Sequence, residues 1–369
     1  MNFHRAVIKV GSALVSPDTN SCSGKYLLSI ARFITACQQA GKEIILVSSG
    51  SVAAGRLSIS HGSPIPSIQT KQAMAAVGQI KLMANWQRFF DQACSQLLIT
   101  HGDLKDRERY INIKNTLRIL LANQVLPIVN ENDTVATDEL KVGDNDNLAA
   151  QVALVSEADC LFILSDIDGV FNCDPRHNPD AVMIPEIAEI TDEIYAMAGC
   201  TNNPIATGGM KTKIQAAEKA IENGITTYII NGTNPEVFEQ LLKGKNPGTK
   251  FLAKEISAPA RKHWLKHTLK SDGKVYLDQG AVTALTRNGA SLLSSGVVNC
   301  EGSFIAGDAI DLIDHKTNRV IAKGICQYSQ PELQQIKGVK SDDIFQILGY
   351  RPSKVVVHRD DLVMLSKEF

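Results

Sequence analysis

Short apolar runs rich in β-branched residues recur through the first 255 residues: 6–10, 43–47, 96–99, 125–129, 160–164 and 226–230. Runs this short and this continuous read as strands buried on both faces. Between them lie stretches with helical apolar spacing, at 25–40, 71–93, 115–123, 147–155 and 214–222. Strand alternating with helix implies a three-layer α/β/α sandwich around a mostly parallel sheet. The charged stretch 103–109 reads as a solvated loop or helix face, and 171–179, with its Asp-Pro and Asn-Pro pairs, as a loop.

The pattern changes between residues 243 and 261, where Gly and Pro interrupt it. Beyond that point the apolar runs are shorter, at 274–277, 303–304, 309–313, 320–322 and 354–357, with turn signals between them. This fits a small β-barrel with short helices. The expected organisation is an α/β domain over 1–255, a linker over 256–272 and a barrel-like domain over 273–369.

Composition narrows the function classes. A formal charge of −1 makes no electrostatic case for nucleic acid or an anionic membrane. Charges are nearly balanced after residue 271 as well, which disfavours an RNA-binding module there. The eight cysteines are scattered without metal-ligand spacing, as in a chain of reduced thiols in the cytoplasm. No leader-like segment is expected at the start, and no uncharged apolar run approaches the roughly 18 residues of a membrane helix.

Polar residues follow several of the strand-like runs, and in open α/β sheets ligands bind at such strand ends. Lys9 interrupts an otherwise apolar run just before Gly11-Ser12; a Lys in a buried strand calls for an anion. An exposed edge strand would also accommodate it. Ser48-Ser49-Gly50-Ser51 opens a helix and suits an anion, or serves as an ordinary N-cap. Asn130-Glu131-Asn132-Asp133 and Lys141-Val142-Gly143-Asp144-Asn145-Asp146-Asn147 gather short carboxylates and amides after one strand. Ser165-Asp166 ends another. Thr207-Gly208-Gly209-Met210-Lys211-Thr212-Lys213 stands at a helix start and has the makings of a phosphate cradle, though it is not a Walker A loop.

Together these residues suggest two sub-sites: one of cations and amides for a polyphosphate, one of hydroxyls, carboxylates and amides for a small zwitterion. No histidine falls in either. A carboxylate nucleophile needs no base, since it is already ionised at neutral pH. It does need relief from repulsion as it approaches a phosphoryl group, which lysines, helix-start amides and Mg²⁺ supply.

These motifs, with the Asp174-Pro175-Arg176 turn, resemble the amino acid kinase family nearly end to end, including a C-terminal region similar to a PUA domain over about 273–349. The resemblance implies ATP-dependent phosphorylation of the γ-carboxylate of L-glutamate, opening proline biosynthesis. By that match Ser49, Asp133 and Asn145 hold glutamate. Lys9, Ser165, Asp166, Thr207, Gly208, Gly209, Met210, Lys211, Thr212 and Lys213 hold ATP. Lys9 and Lys213 are the transition-state cations, and Asp146 is assigned to orienting them. Ser165 stands where Thr is common, and Lys211 where a small residue is common. Further implications are Mg²⁺ with ATP, proline as a candidate feedback ligand and a homo-oligomer, dimer or tetramer. The rival readings are a kinase of another acidic substrate (aspartate, acetylglutamate or carbamate) and an inactive kinase that binds RNA.

Overall fold

A computed structural model of the chain describes residues 3–18, 21–60, 65–136, 145–175, 177–199, 209–254 and 271–365. It forms two compact units, Met1–Glu255 and Ile256–Phe369. Most of the expected linker lies outside the described residues.

In the first unit the order is β1 (Arg5–Val10), α1 (Ser12–Val15), α2 (Leu27–Gln39), β2 (Glu43–Ser48), α3 (Ser51–Gly55), α4 (Ile68–Gln87), β3 (Cys94–Ile99), α5 (His101–Lys105), α6 (Arg107–Ala122) and β4 (Leu126–Glu131). Then come α7 (Asn145–Val155), β5 (Cys160–Ser165), β6 (Glu186–Ile187), α8 (Asp192–Gly199), α9 (Met210–Glu222), β7 (Thr226–Asn231), α10 (Glu236–Leu242) and β8 (Thr249–Phe251).

The strands form one sheet in the order β3-β4-β2-β1-β5-β7-β8-β6. Every pair from β3 to β7 is parallel, and β8 turns antiparallel to β7. The expected mostly parallel sandwich is what forms. Successive strand residues point to opposite faces. Ile8 and Val10 therefore pack with α2, α10 and Trp86 of α4. Val7 packs with α6, α7 and α9 on the other face, and Lys9 shares that face.

Three local features sharpen the sequence reading and have physical causes. The charged stretch 103–109 is a junction of two helices. Thr100 and Asp103 make a reciprocal cap for α5, and Asp106 accepts from the Arg109 N–H to start α6. Their charge serves helix ends. Helix α4 starts at Ile68, where Ser67 caps it, and ends at Gln87. Strand β4 continues through Asn130 and Glu131, both buried, so the acidic-amide block begins inside the sheet.

The second unit contains β9 (Gly273–Leu277), α11 (Gln279–Asn288), β10 (Val297–Gly302), β11 (Ala309–Asp314), β12 (Arg319–Ile325), α12 (Gln330–Ile336), α13 (Ile344–Leu348) and β13 (Leu362–Met364). Its sheet runs β10-β9-β11-β12-β13, antiparallel except for the β9–β11 pair. The apolar runs at 303–304 and 354–357 are not strands. Phe304, Val356 and Val357 join the core, and Val357 makes one isolated bridge to Leu292. Apolar content marked their burial, which does not require ladder pairing.

Among the described residues, no helix is long and apolar enough to cross a membrane. Helices α3 and α4 cross through two glycines. A Cβ on Gly78 would lie 1.8 Å from the Ser51 carbonyl oxygen, and one on Gly55 would lie 1.9 Å from that of Met74. Backbone cannot yield as a side-chain tip can. Gly78→Ala is expected to cost about 3 kcal/mol of stability, the upper range for overpacking, measured by urea denaturation.

Candidate active site

The C-terminal ends of β1, β2, β4 and β5 meet the N-terminal ends of α3, α7 and α9. Lys9 leaves β1 on the face covered by α7 and α9, and its ammonium lies 2.6 Å from Asp146 Oδ1. Lys213, in the first turn of α9, reaches the other oxygen, Oδ2, at 3.1 Å. Thr212 donates its hydroxyl to the same Oδ2 at 3.0 Å. Two lysines 204 positions apart thus converge on one carboxylate. Asp146 is fully buried, and Lys9 and Lys213 are 5% and 4% exposed.

Burial by itself would raise the Asp146 pKa. The ammonium groups of Lys9 and Lys213 overcome that and hold the carboxyl well below the usual range. Its place in the first turn of α7 adds the helix dipole in the same direction. The two lysines thus share one carboxylate, one on each oxygen. Gly209 precedes α9 and offers no side-chain cap. The Thr212 N–H donates to the Gly209 carbonyl at 3.1 Å, and a helix start without a side-chain cap suits an anion. Lys211 is exposed in that same turn. Ser165 ends β5 and donates to Asp166 Oδ1 at 3.1 Å; Ser165 is buried and Asp166 exposed.

A second cluster begins one residue away on α7. Asn145 donates from Nδ2 to Ser49 Oγ and to Asn130 Oδ1, both at 2.9 Å. Ser49 sits between β2 and α3, at a bend made by Gly50 with φ +110°. A Cβ there would be strained in conformation and would meet Val15 Cγ1 at 2.7 Å. Ser51 donates to Asp133 Oδ2 at 2.6 Å, fixing that carboxylate against the start of α3. Beneath the turn, Trp86 Nε1 donates to Ser48 Oγ at 2.8 Å, and that hydroxyl donates to the Ser49 carbonyl at 3.1 Å.

Lys9, Lys213, Asp146 and Thr212 are thus brought together, as are Ser49 and Asn145, with the adjacent residues Asn145 and Asp146 linking the groups. Asp133 is held from the same turn through Ser51. Thr207, Gly208 and the segment 141–144 lie outside the described residues. Sequence reasoning did not single out Ser51, Asn130 or Trp86 for this site. Ser51 and Asn130 stood within the motifs, but their partners are 82 and 15 positions away, and no local spacing reveals them.

No group of three or more His, Cys, Asp or Glu that could hold a metal occurs among the described residues. Both Asp146 oxygens are engaged by lysines. A hard cation here would be held chiefly by phosphate oxygens, which suits Mg²⁺, since it needs only one or two protein carboxylates. The exposed carboxylate of Asp166 is of the right type.

Comparison with known proteins adds independent findings. The amino acid kinase family model matches residues 4–231, and the PUA domain model matches 273–348. A glutamate 5-kinase of Idiomarina loihiensis is 53% identical, covering 99% of this chain and 98% of that protein. One of Salinibacter ruber is 52% identical, covering 98% of each. One of Xanthomonas oryzae pv. oryzae is 46% identical, covering 97% of this chain and all of that protein.

Asp146→Asn leaves two buried ammoniums without their shared carboxylate. The expected loss is about 3 kcal/mol of stability at pH 7. Because the folded carboxyl titrates below its unfolded value, the contribution is fully present above about pH 4. It is lost as pH falls through the folded value. Urea unfolding of both proteins from pH 7 down to pH 3 checks this: the gap should hold at pH 6–7 and narrow below about pH 4.

Proposed function

Since the chain belongs to the amino acid kinase family, we propose that its site transfers the γ-phosphoryl group of ATP to the γ-carboxylate of L-glutamate, giving L-glutamyl 5-phosphate and ADP. The relatives named for this activity align over nearly the whole chain, which supports the substrate assignment. The observation that carries the reading is the shared grip of Lys9 and Lys213 on Asp146, one residue from the Asn145–Ser49 contact.

In this reading Ser49, Asp133 and Asn145 hold glutamate. Asp133 supplies the negative charge that the α-ammonium calls for, and the Ser49 hydroxyl supplies a donor. Lys9, Ser165, Asp166 and the segment from Thr207 to Lys213 hold ATP. A γ-carboxylate oxygen attacks Pγ, the bond from Pγ to the β–γ bridging oxygen breaks, and its electron pair leaves on ADP. No proton need be removed from the nucleophile. The barrier is electrostatic, and Lys9 and Lys213 act on the charge spread over the transferring group. Asp146 keeps them apart and aimed. Asp166 would help hold a Mg²⁺ ion accompanying the phosphates, which would neutralise part of their charge.

The nearly balanced charge of the second unit does not favour a nucleic-acid role for it. Proline as a feedback ligand and a dimeric or tetrameric assembly accompany this reading as proposals. The described cysteines are free thiols, in keeping with a reducing cytoplasm.

A coupled ADP-release assay with glutamate, aspartate and N-acetylglutamate, each with and without proline, tests the assignment. Glutamate is expected to be turned over best, because N-acetylglutamate lacks the ammonium that Asp133 would pair. Equal turnover of the acetylated compound would contradict it. Lys213→Ala is expected to lower kcat by about 100-fold or more, with a small change in glutamate KM; an unchanged kcat removes Lys213 from the chemistry. Asp133→Ala should raise the glutamate KM about tenfold or more, the equivalent of about 1.4 kcal/mol, and the ATP KM little. Equal effects on both would contradict two separate sub-sites.

A further inference from the structure

We propose that Gln79 is a positioning residue for the acceptor pocket: its side-chain oxygen sets the rotation of the Asn130 amide and thereby decides which polar groups of Asn145 and Ser49 face the substrate. The inference rests on the kinase reading above and adds a residue that none of the motifs pointed to.

Gln79 lies on α4 and is 8% exposed. Asn130 donates from Nδ2 to Gln79 Oε1 at 2.9 Å, inside the protein. Asn130 Oδ1 in turn accepts from Asn145 Nδ2, which also donates to Ser49 Oγ. The three amides form a chain with one polarity. Both amide protons of Asn145 are used, so its oxygen is the group left to a ligand, along with the Ser49 hydroxyl proton. An acceptor and a donor side by side suit an ammonium next to a carboxylate. If Asn130 turned over, its NH₂ would face that of Asn145. Asn145 would then rotate, release Ser49 and present donors toward the ammonium.

The Gln79 amide ends this series. Gln79 Nε2 is buried and has no hydrogen-bond partner among the described residues. A buried amide ordinarily satisfies both ends. Here the oxygen is engaged with Asn130 and the donor is left unmatched. Gln79 is also held in position by its helix. Its neighbour Gly78 packs against the Ser51 and Gly55 backbone, and Trp86, two turns on, ties α4 to Ser48. Helix α4 therefore supports the pocket at three points without lining it through any of the expected binding residues.

The test compares wild type, Gln79→Met and Gln79→Glu by steady-state kinetics at pH 6.5 and at a series of higher pH values, with glutamate and with glutarate, which lacks the α-ammonium. Met keeps the bulk and removes the acceptor; Glu keeps an oxygen toward Asn130. Gln79→Met is expected to raise the glutamate KM about tenfold, with ATP KM within about twofold and kcat within about threefold. The glutarate KM should change less than that for glutamate. Gln79→Glu should return the glutamate KM to within about threefold of wild type, with the defect growing as pH rises, because ionisation would bury a charge. Wild type that turns over glutamate beside Gln79→Met with unchanged KM would overturn the role of Gln79 alone. So would a parallel loss in kcat and both KM values, which marks a merely structural residue. Wild type that releases no ADP with glutamate overturns the kinase reading on which the proposal rests.

Discussion

The carboxylate of Asp146, clasped by Lys9 and Lys213, is the contact on which the architecture of the site depends. Burying three charged groups costs several kcal/mol per ion before any attraction is counted, so such a cluster contributes little to stability relative to an apolar core. Its physical effect is local. It holds two lysine side chains in a dry place, one on each oxygen of a single carboxylate. Repulsion between a carboxylate and a polyphosphate is the obstacle such an arrangement can remove.

The sheet order makes the convergence possible. Lys9 comes from the central strand β1 and Lys213 from the start of α9, whose following strand β7 lies two places away across β5. Helix α7 covers the same face and sends consecutive residues in two directions, Asn145 to Ser49 and Asp146 to the lysines. The two clusters are therefore tied through one helical turn. Below the Ser49 turn, the Gly55–Gly78 crossing brings α4 so close to α3 that side chains on α4 reach the buried amides of the sheet.

Much of this was legible beforehand. The strand-like runs and helical spacings marked the three-layer fold, because burial on both faces leaves a continuous apolar trace. Lys9 was conspicuous because a charge in such a run has few explanations. The acidic-amide block and the Gly-Gly-Met-Lys-Thr-Lys stretch stood out by density. The charged stretch 103–109 was read as a solvated loop or helix face; it is helical and largely exposed, and the caps made by Asp103 and Asp106 are what that reading left out. The runs at 303–304 and 354–357 were read as strands, since apolar content reports burial without reporting pairing.

The sequence by itself determined the layers, the placing of polar residues at strand ends and the residue types that gather in the two clusters, since periodicity and side-chain chemistry are local properties. Only the tertiary structure decided that Asp146 faces both lysines, that Ser51 holds Asp133 and that Gln79 terminates a chain of amides. Those contacts join residues tens to hundreds of positions apart. They follow from strand order, from which face each side chain takes and from how closely α3 and α4 approach, and none of these is encoded in the spacing of neighbouring residues.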